Sequence, residues 1–455
     1  MRAIAAALLF TLALAVTAAD PQNGKKIYLR GEGSAPVEAV TDAEGTVVIP
    51  ATVLRCVNCH DYDGRGKREG AVKPSNLQWS ELTKKYTTTA RKHPPYTVGT
   101  LKRAITMGID PAGNELDRIM PRYRMTARDA EDLVAYLQTL GQVTDPGLTD
   151  DALRLGVLLS PDRARAEAVR DVVSGIFERI NDAGGMYGRR VDVRYMQLPE
   201  NASARRDAVA KFLETEQPFA LTASSLLGAE EPLATLIEER EIPSLAAFSG
   251  DAPALRYLFR LLGSSAEEVK ALRAYAGGNV LELHDATPLT AIRNAKTVLV
   301  LSDRARLPEI LRAAAALDTP PRILVPSSAA GEALFTAPAS LDQRITVALP
   351  VGQPHLTPEG RHELKVLSPR TAAHLQTAAA ALAAAKVTAE ALRRSGRDVS
   401  REKLIETLEG FYNVPTAVTP PITFGPTIRA GTRGAWLSEV DLRQQTLANG
   451  RWQTP

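Results

Sequence analysis

Two cysteines occur in 455 residues, and both fall in one string, Cys56-Val57-Asn58-Cys59-His60. This string constrains the chain more than any other. Two thiols three positions apart, followed at once by an imidazole, form the C-x-x-C-H pattern of covalent haem attachment. The thiols add across the two vinyl groups of haem, and the adjoining histidine supplies an axial nitrogen to the iron. Three other chemistries use a close cysteine pair. A thioredoxin-like redox pair belongs where a strand enters a helix of a βαβ unit, but here Pro50 precedes and a Gly-rich stretch, Asp61 to Gly70, follows. A zinc site needs further ligands at suitable spacing, and there is no third cysteine. A structural disulfide would leave His60 without a role, and one close pair is no scaffold for a chain of this length.

A sixth iron ligand must come from downstream, as a thioether or a second imidazole. The candidates are Met107, Met120, Met125 and His93, the last within Lys92-His93-Pro94-Pro95. Met120 precedes Pro121, whose fixed φ stiffens the loop and aims the thioether. A helix then runs from Thr126 to Leu140. Thr126 is its N-cap, Asp129 lies three residues on, Leu133, Tyr136, Leu137 and Leu140 share one face, and Gly141 stops it. Ile119-Met120-Pro121-Arg122-Tyr123, followed by a helix containing Leu133-Val134-Ala135-Tyr136-Leu137, resembles class I cytochromes c. In that family the methionine before the proline is the sixth ligand and the last helix packs across the haem edge. The resemblance therefore implies one haem c on Cys56 and Cys59, held axially by His60 and Met120. Gly24-Lys25-Lys26-Ile27-Tyr28 resembles the family's N-terminal helix, and Val98, Leu101 and Ile105 mark an amphipathic middle helix. Trp79 and Tyr123 stand as haem contacts or as ordinary core.

Arg2, an apolar run from Ala3 to Val16, and the small residues Thr17-Ala18-Ala19 read as a secretory signal peptide over 1–19. An uncleaved N-terminal anchor is the rival reading. No later stretch is apolar enough to span a membrane, so the mature chain is expected in the periplasm. The net charge of +3 gives no reason to expect nucleic acid as a partner. Charge is concentrated locally: from Arg55 to Arg124 there are fourteen Lys and Arg against seven Asp and Glu, 14 − 7 = +7. A basic face around a haem edge would speed encounter with an acidic redox partner, such as a quinoprotein dehydrogenase or a terminal oxidase. A solvated surface that also pairs with haem propionates would show the same excess.

Length alone predicts more than one domain. The first is read as 20–145, because Thr144-Asp145-Pro146-Gly147 is a turn-rich break, and the second as 146–455. Beyond the break apolar strands alternate with helices: Leu153 to Leu159, then Arg163 to Ala183, then Arg190 to Leu198, and so on through Thr297 to Leu301 and Arg322 to Val325. Strands separated by helices of ten or more residues imply a parallel, doubly wound sheet. An Ala-rich helix is expected over Ser368 to Ser395. The strand Leu155 to Leu159, the run Glu178-Arg179-Ile180-Asn181-Asp182-Ala183-Gly184-Gly185, Tyr187-Gly188-Arg189-Arg190, and Thr419-Pro420-Pro421-Ile422-Thr423-Phe424 resemble type I periplasmic solute-binding proteins, the Leu/Ile/Val-binding group of ABC transporters. The resemblance implies two lobes with a small solute held between them at strand C-termini. Ser224, Ser225 and Ser249 follow strands and are the candidate ligand contacts, or else helix caps and turn serines. Only 37 positions separate Phe259 from Lys296, so the second lobe reads as trimmed. The histidines His284, His355, His362 and His374 are scattered and form no ligand set.

The expected whole is multidomain: a small all-α cytochrome c domain, then an α/β doubly wound, periplasmic-binding-protein-like domain of two lobes. The expected function is one-electron transfer, with the fused domain docking a partner or sensing a ligand. An ABC-transporter-type solute-binding or sensing protein with an accessory haem is the alternative. A haem enzyme such as a peroxidase needs an open iron position that Met120 would block.

Overall fold

The computed structural model describes residues 18–454 apart from 43, 69–72, 89–90, 143, 353–355 and 368–373. Most of the expected signal peptide, His355 and the first residues of the expected Ala-rich helix lie outside the described residues. The chain divides into two compact units, one ending at Thr144 and one beginning at Asp145.

The first unit begins with α1 (Pro21–Arg30), whose N-cap Asp20 accepts from the Gln22 amide. Two short strands follow, β1 (Glu38–Val40) and β2 (Val48–Pro50), then α2 (Cys56–His60), α3 (Trp79–Leu82), β3 (Tyr86–Thr87), β4 (Lys92–His93), α4 (Val98–Met107), β5 (Arg122–Arg124) and α5 (Ala127–Leu137). The expectation of an all-α unit is corrected. β2, β1 and β5 form a three-stranded antiparallel sheet in which Ala39 lies opposite Tyr123, and β3 pairs with β4. The buried crossing through Val37, Ala39 and Val40 needs partners for its backbone groups, and neighbouring strands supply them. The last helix ends at Leu137 rather than Leu140, its final amides turning back on Val134 and Tyr136, though Leu140 remains buried.

α1 and α5 cross closely. A Cβ on Gly24 would lie 2.0 Å from the Asp132 carbonyl oxygen, so only glycine permits the approach. Tyr28 and Tyr136 pack there with ring centroids 5.5 Å apart. Asn23 donates to both Asp129 and Asp132 at 2.9 Å, tying one helix to the other.

The second unit holds two sheets. The first contains β6 (Ala152–Leu159), β7 (Arg190–Gln197), β8 (Ala220–Thr222), β9 (Ser244–Ala247) and β10 (Leu258–Arg260), all parallel, in the order β10-β9-β8-β6-β7. Helices α6 (Arg163–Asp182), α7 (Arg205–Glu216) and α8 (Glu230–Glu239) connect its strands. Then come α9 (Ser265–Ala276) and the second sheet: β11 (Leu281–Leu283), β12 (Thr297–Val300), β13 (Arg322–Val325) and β14 (Ile345–Leu349), with α10 (Leu307–Ala315) between β12 and β13. The chain next returns to the first sheet's core with α11 (Pro358–Leu367), α12 (Leu375–Ser395) and α13 (Arg401–Glu409). It finishes at the second sheet with β15 (Ala435–Asp441) and β16 (Thr446–Gln453).

The cores are therefore interleaved along the sequence. One is built from 148–261 and again from 356–424, and the other from 271–348 and again from 435–440. The strands β11 to β14 are parallel, as expected, but β15 and β16 add an antiparallel edge. The interval Phe259 to Lys296 carries α9, β11 and a short 3-10 segment, and the second sheet still reaches six strands. Buried Ala side chains on α12, Ala381 and Ala383 to Ala385 among them, let that helix lie within the first core.

Candidate functional site

The helix α2 is only five residues long, too short to be stable alone, and its ends are fixed by its surroundings. The Cys59 and His60 carbonyls accept from the Lys67 and Gly66 amides at 2.9 and 3.0 Å. Two buried tyrosines pin the chain on either side. Tyr123 in β5 donates to the Leu54 carbonyl at 2.8 Å, and Tyr28 in α1 donates to the Asp61 carbonyl at 2.6 Å. Both hydroxyls are neutral anchors, since burial pushes each far above the ordinary tyrosine range. Gly64 is buried at positive φ, where a Cβ would sit 2.5 Å from Leu140.

His60 is 8% exposed. Its Nδ1 donates to the Ser75 carbonyl at 2.9 Å, and Nε2 has no protein partner among the described residues. Burial pulls the imidazole below its ordinary range, with the Ser75 contact opposing in part, so it stays neutral. A neutral imidazole whose far nitrogen is held by a carbonyl is the arrangement that orients a metal-ligating histidine. Cys56 is half-buried and its thiol is pushed up to about 12, mainly by burial; Cys59 is exposed, and the two are not joined in a disulfide.

The downstream candidates fall into two groups. Met107 is 61% exposed at the end of α4. His93 is stacked on Tyr86 with centroids 5.0 Å apart, lies edge-on to Tyr96, and donates from Nδ1 to the Pro94 carbonyl. Met120 and Met125 pack, half-buried, on the same apolar cluster as Cys56, Trp79, Leu101 and Leu133. Cys56 and the two thioethers meet at one apolar cluster, with exposed Cys59 and buried His60 close by in sequence, and thiols, imidazole and thioether are all donors that suit haem. Among the described residues no group of three or more His, Cys, Asp or Glu side chains could hold a metal ion.

In the second unit the three serines have different fates. The Ser224 hydroxyl accepts from the Leu158 amide at 3.0 Å and donates to the Thr222 carbonyl at 3.1 Å, so it is used inside the sheet. Ser225 continues the ladder, its amide donating to the Leu158 carbonyl and its backbone pairing with Phe248. Ser249 is buried, and its hydroxyl oxygen has no partner among the described residues. A cavity of about 790 Å³ lies beside these strand ends, lined by Ser203, Gly228, Glu230, Glu231, Asp251 and Ser265 among others, and by none of the three serines. Its acidic side chains escaped the sequence reading. Gly228-Ala229-Glu230-Glu231-Pro232 reads simply as a helix start, and Glu230 does accept from the Gly228 amide at 2.9 Å. Asp251 likewise accepts from the Ser265 amide at the start of α9.

The short cysteine-bearing helix, its buried imidazole and the crossed pair α1 and α5 define the first unit as a cytochrome c domain. Residues 43–141 match the family model described as cytochrome c. That family carries covalently bound haem c, and Cys56 and Cys59 lie in the matched region.

The second unit has the fold of ABC-transporter substrate-binding proteins of the Leu/Ile/Val type. It is similar to a fatty acid ABC transporter substrate-binding protein from Thermomonospora curvata, at 14% identity and a TM-score of 0.51, over 69% of this chain and 94% of that one. It is also similar to the branched-chain amino acid transporter substrate binding protein LivJ from Streptococcus pneumoniae, solved with isoleucine, at 14% identity and a TM-score of 0.50, over 67% of this chain and 100% of that one. No curated protein matches the chain significantly by sequence. No helix among the described residues is long and apolar enough to cross a membrane.

Proposed function

We propose that the chain is an exported, monohaem electron carrier whose second unit, of two lobes, recognises a small solute. Cys56 and Cys59 carry the haem, and the His60 imidazole and the Met120 thioether are the axial donors. The observation that carries this reading is His60 itself: buried, neutral, held at Nδ1 by Ser75, with no partner for Nε2 among the described residues, and next in sequence to Cys59. Bound haem supplies a one-electron iron couple, and thioether ligation sets it at a higher potential than a second imidazole would.

The protein's part is positional. Tyr28 and Tyr123 fix the attachment helix, the Ser75 carbonyl fixes the imidazole plane, and the apolar cluster around Leu101 and Leu133 excludes water. The basic excess between Arg55 and Arg124 steers an acidic partner, for which a periplasmic quinoprotein dehydrogenase or a terminal oxidase has the right chemistry. The open groove of about 790 Å³ in the second unit offers a place for such a solute.

Expression with a cytochrome c maturation system tests the first half. The purified protein should retain Soret absorbance after acid–acetone extraction, and Met120→Ala should remove the weak far-red absorbance of thioether–iron ligation. Extractable haem, or a far-red band that survives Met120→Ala, rejects the assignment. A thermal-shift panel of amino acids, amides, alcohols and polyamines tests the second half; if none of them moves the melting of the second unit, solute recognition fails.

A further inference from the structure

The segment between α4 and β5 carries Met120, and it is held mainly by arginines acting on backbone carbonyls. Arg103 donates to the Asp110 carbonyl at 2.6 Å. Arg91 donates to the Glu115 carbonyl at 2.7 Å and pairs with buried Asp110 at 2.9 Å. Arg122 makes the last and densest set: Nη2 donates to the Leu116 carbonyl at 2.6 Å, and Nη1 donates to the carbonyls of Asp117 at 3.2 Å and of Met120 itself at 2.5 Å. The Met120 amide in turn donates to the Asp117 carbonyl at 3.2 Å. One guanidinium thus gathers three carbonyls from a five-residue turn that ends on the thioether residue.

Its seat is built for it. Gly108, at positive φ just past α4, faces the guanidinium so closely that a Cβ there would lie 1.7 Å from Arg122 Nε. The same residue anchors the turn from the other side, its carbonyl accepting from the Leu116 amide at 2.7 Å. Arg122 also belongs to β5, with Val40 as its register partner, so the turn is tied through it to the three-stranded sheet.

We infer that Arg122 is a positioning residue for the iron ligand: by holding the Leu116–Met120 turn closed on three carbonyls it keeps the thioether in place against competing ligands. The inference rests on Met120 being the sixth donor. A planar fork of fixed geometry suits this task, and an ammonium on a flexible stem does not.

The test is imidazole competition in the oxidised, haem-loaded full chain, read by loss of the far-red thioether–iron absorbance. Arg122→Gln should bind imidazole about tenfold more tightly, which corresponds to ~1.4 kcal/mol, the low end of one hydrogen bond to a charged group. Arg122→Lys, which keeps the charge but not the fork, should shift in the same direction by less and serves if the Gln variant does not load haem. Arg103→Gln loosens the other end of the segment and should lower the melting temperature while leaving imidazole affinity unchanged. Wild-type imidazole affinity in both Arg122 variants overturns the inference, as does an Arg103→Gln shift as large as that of Arg122→Gln. A far-red band that persists in Met120→Ala would instead sink the ligand assignment beneath it.

Discussion

Asp129 shows how much one buried carboxyl can control. It is fully buried and accepts from the Ser34 amide at 2.8 Å, from Asn23 at 2.9 Å and from the Thr126 hydroxyl at 2.8 Å. Burial alone would raise its pKa, but these hydrogen bonds outweigh burial and hold the carboxyl below the usual range. Asp110 is balanced the same way, with Asn114 and Arg91 outweighing its burial. A carboxyl held low when folded binds fewer protons than the unfolded chain near its ordinary value of about 4, so its stabilisation is complete above that value and is lost as pH falls through the folded one. Denaturant unfolding of the first unit should therefore weaken steeply from about pH 5 downward, and Asp129→Asn should flatten that acid limb while lowering stability at pH 7. An acid limb unchanged by the substitution would contradict this. At the same scale the candidate site was only half legible. Cys56, Cys59 and His60 announce themselves because their spacing is local. Ser75 acts through a carbonyl that any residue possesses, and Arg122 finds its seat on Gly108, fourteen positions away, so neither leaves a mark in the sequence. Ser224 was visible as a serine at a strand end, but nothing in the sequence told that its hydroxyl turns inward.

Among the elements, α5 is the one on which the first unit closes. Its N-cap is Thr126, whose hydroxyl accepts from the Asp129 amide at 3.0 Å while donating to that residue's carboxylate. Thr126→Ala removes both contacts and should cost about 1–2 kcal/mol, seen as a fall of roughly 4–8 °C or more in the melting of the first unit. A change within error would show that packing against α1 alone holds the helix. The long elements were readable in advance because periodicity accumulates over several turns: α4, α5, α6 and β6 fall where the apolar spacing puts them. The sheet β2-β1-β5 was not readable, since its strands have three residues each and carry no period worth the name. Nor was the antiparallel edge of β15 and β16. Alternating strand and helix predicts parallel neighbours, and the return of the chain to the second sheet is decided by long-range contact.

At the scale of the molecule, the two units depend on different things. The first is built on the crossed helices α1 and α5 and carries its cysteine pair on a helix of five residues, and the second is built on two sheets with their own cores. The double variant Cys56→Ala, Cys59→Ala should accordingly lose covalent haem and lower or abolish the calorimetric transition of the first unit, with the second transition unmoved. Equal loss in both would mean that the haem supports the whole chain. The interleaved cores of the second unit also impose an order on biosynthesis. Neither of its cores can be finished when its own first strands have been made. The early one awaits α11 to α13, and the late one awaits a hairpin ending at Gln453. The haem-bearing portion has every segment it needs some three hundred residues sooner. It can fold while the remainder is still being synthesised, with the half-built sheet edges of the second unit still open to whatever chaperone meets them.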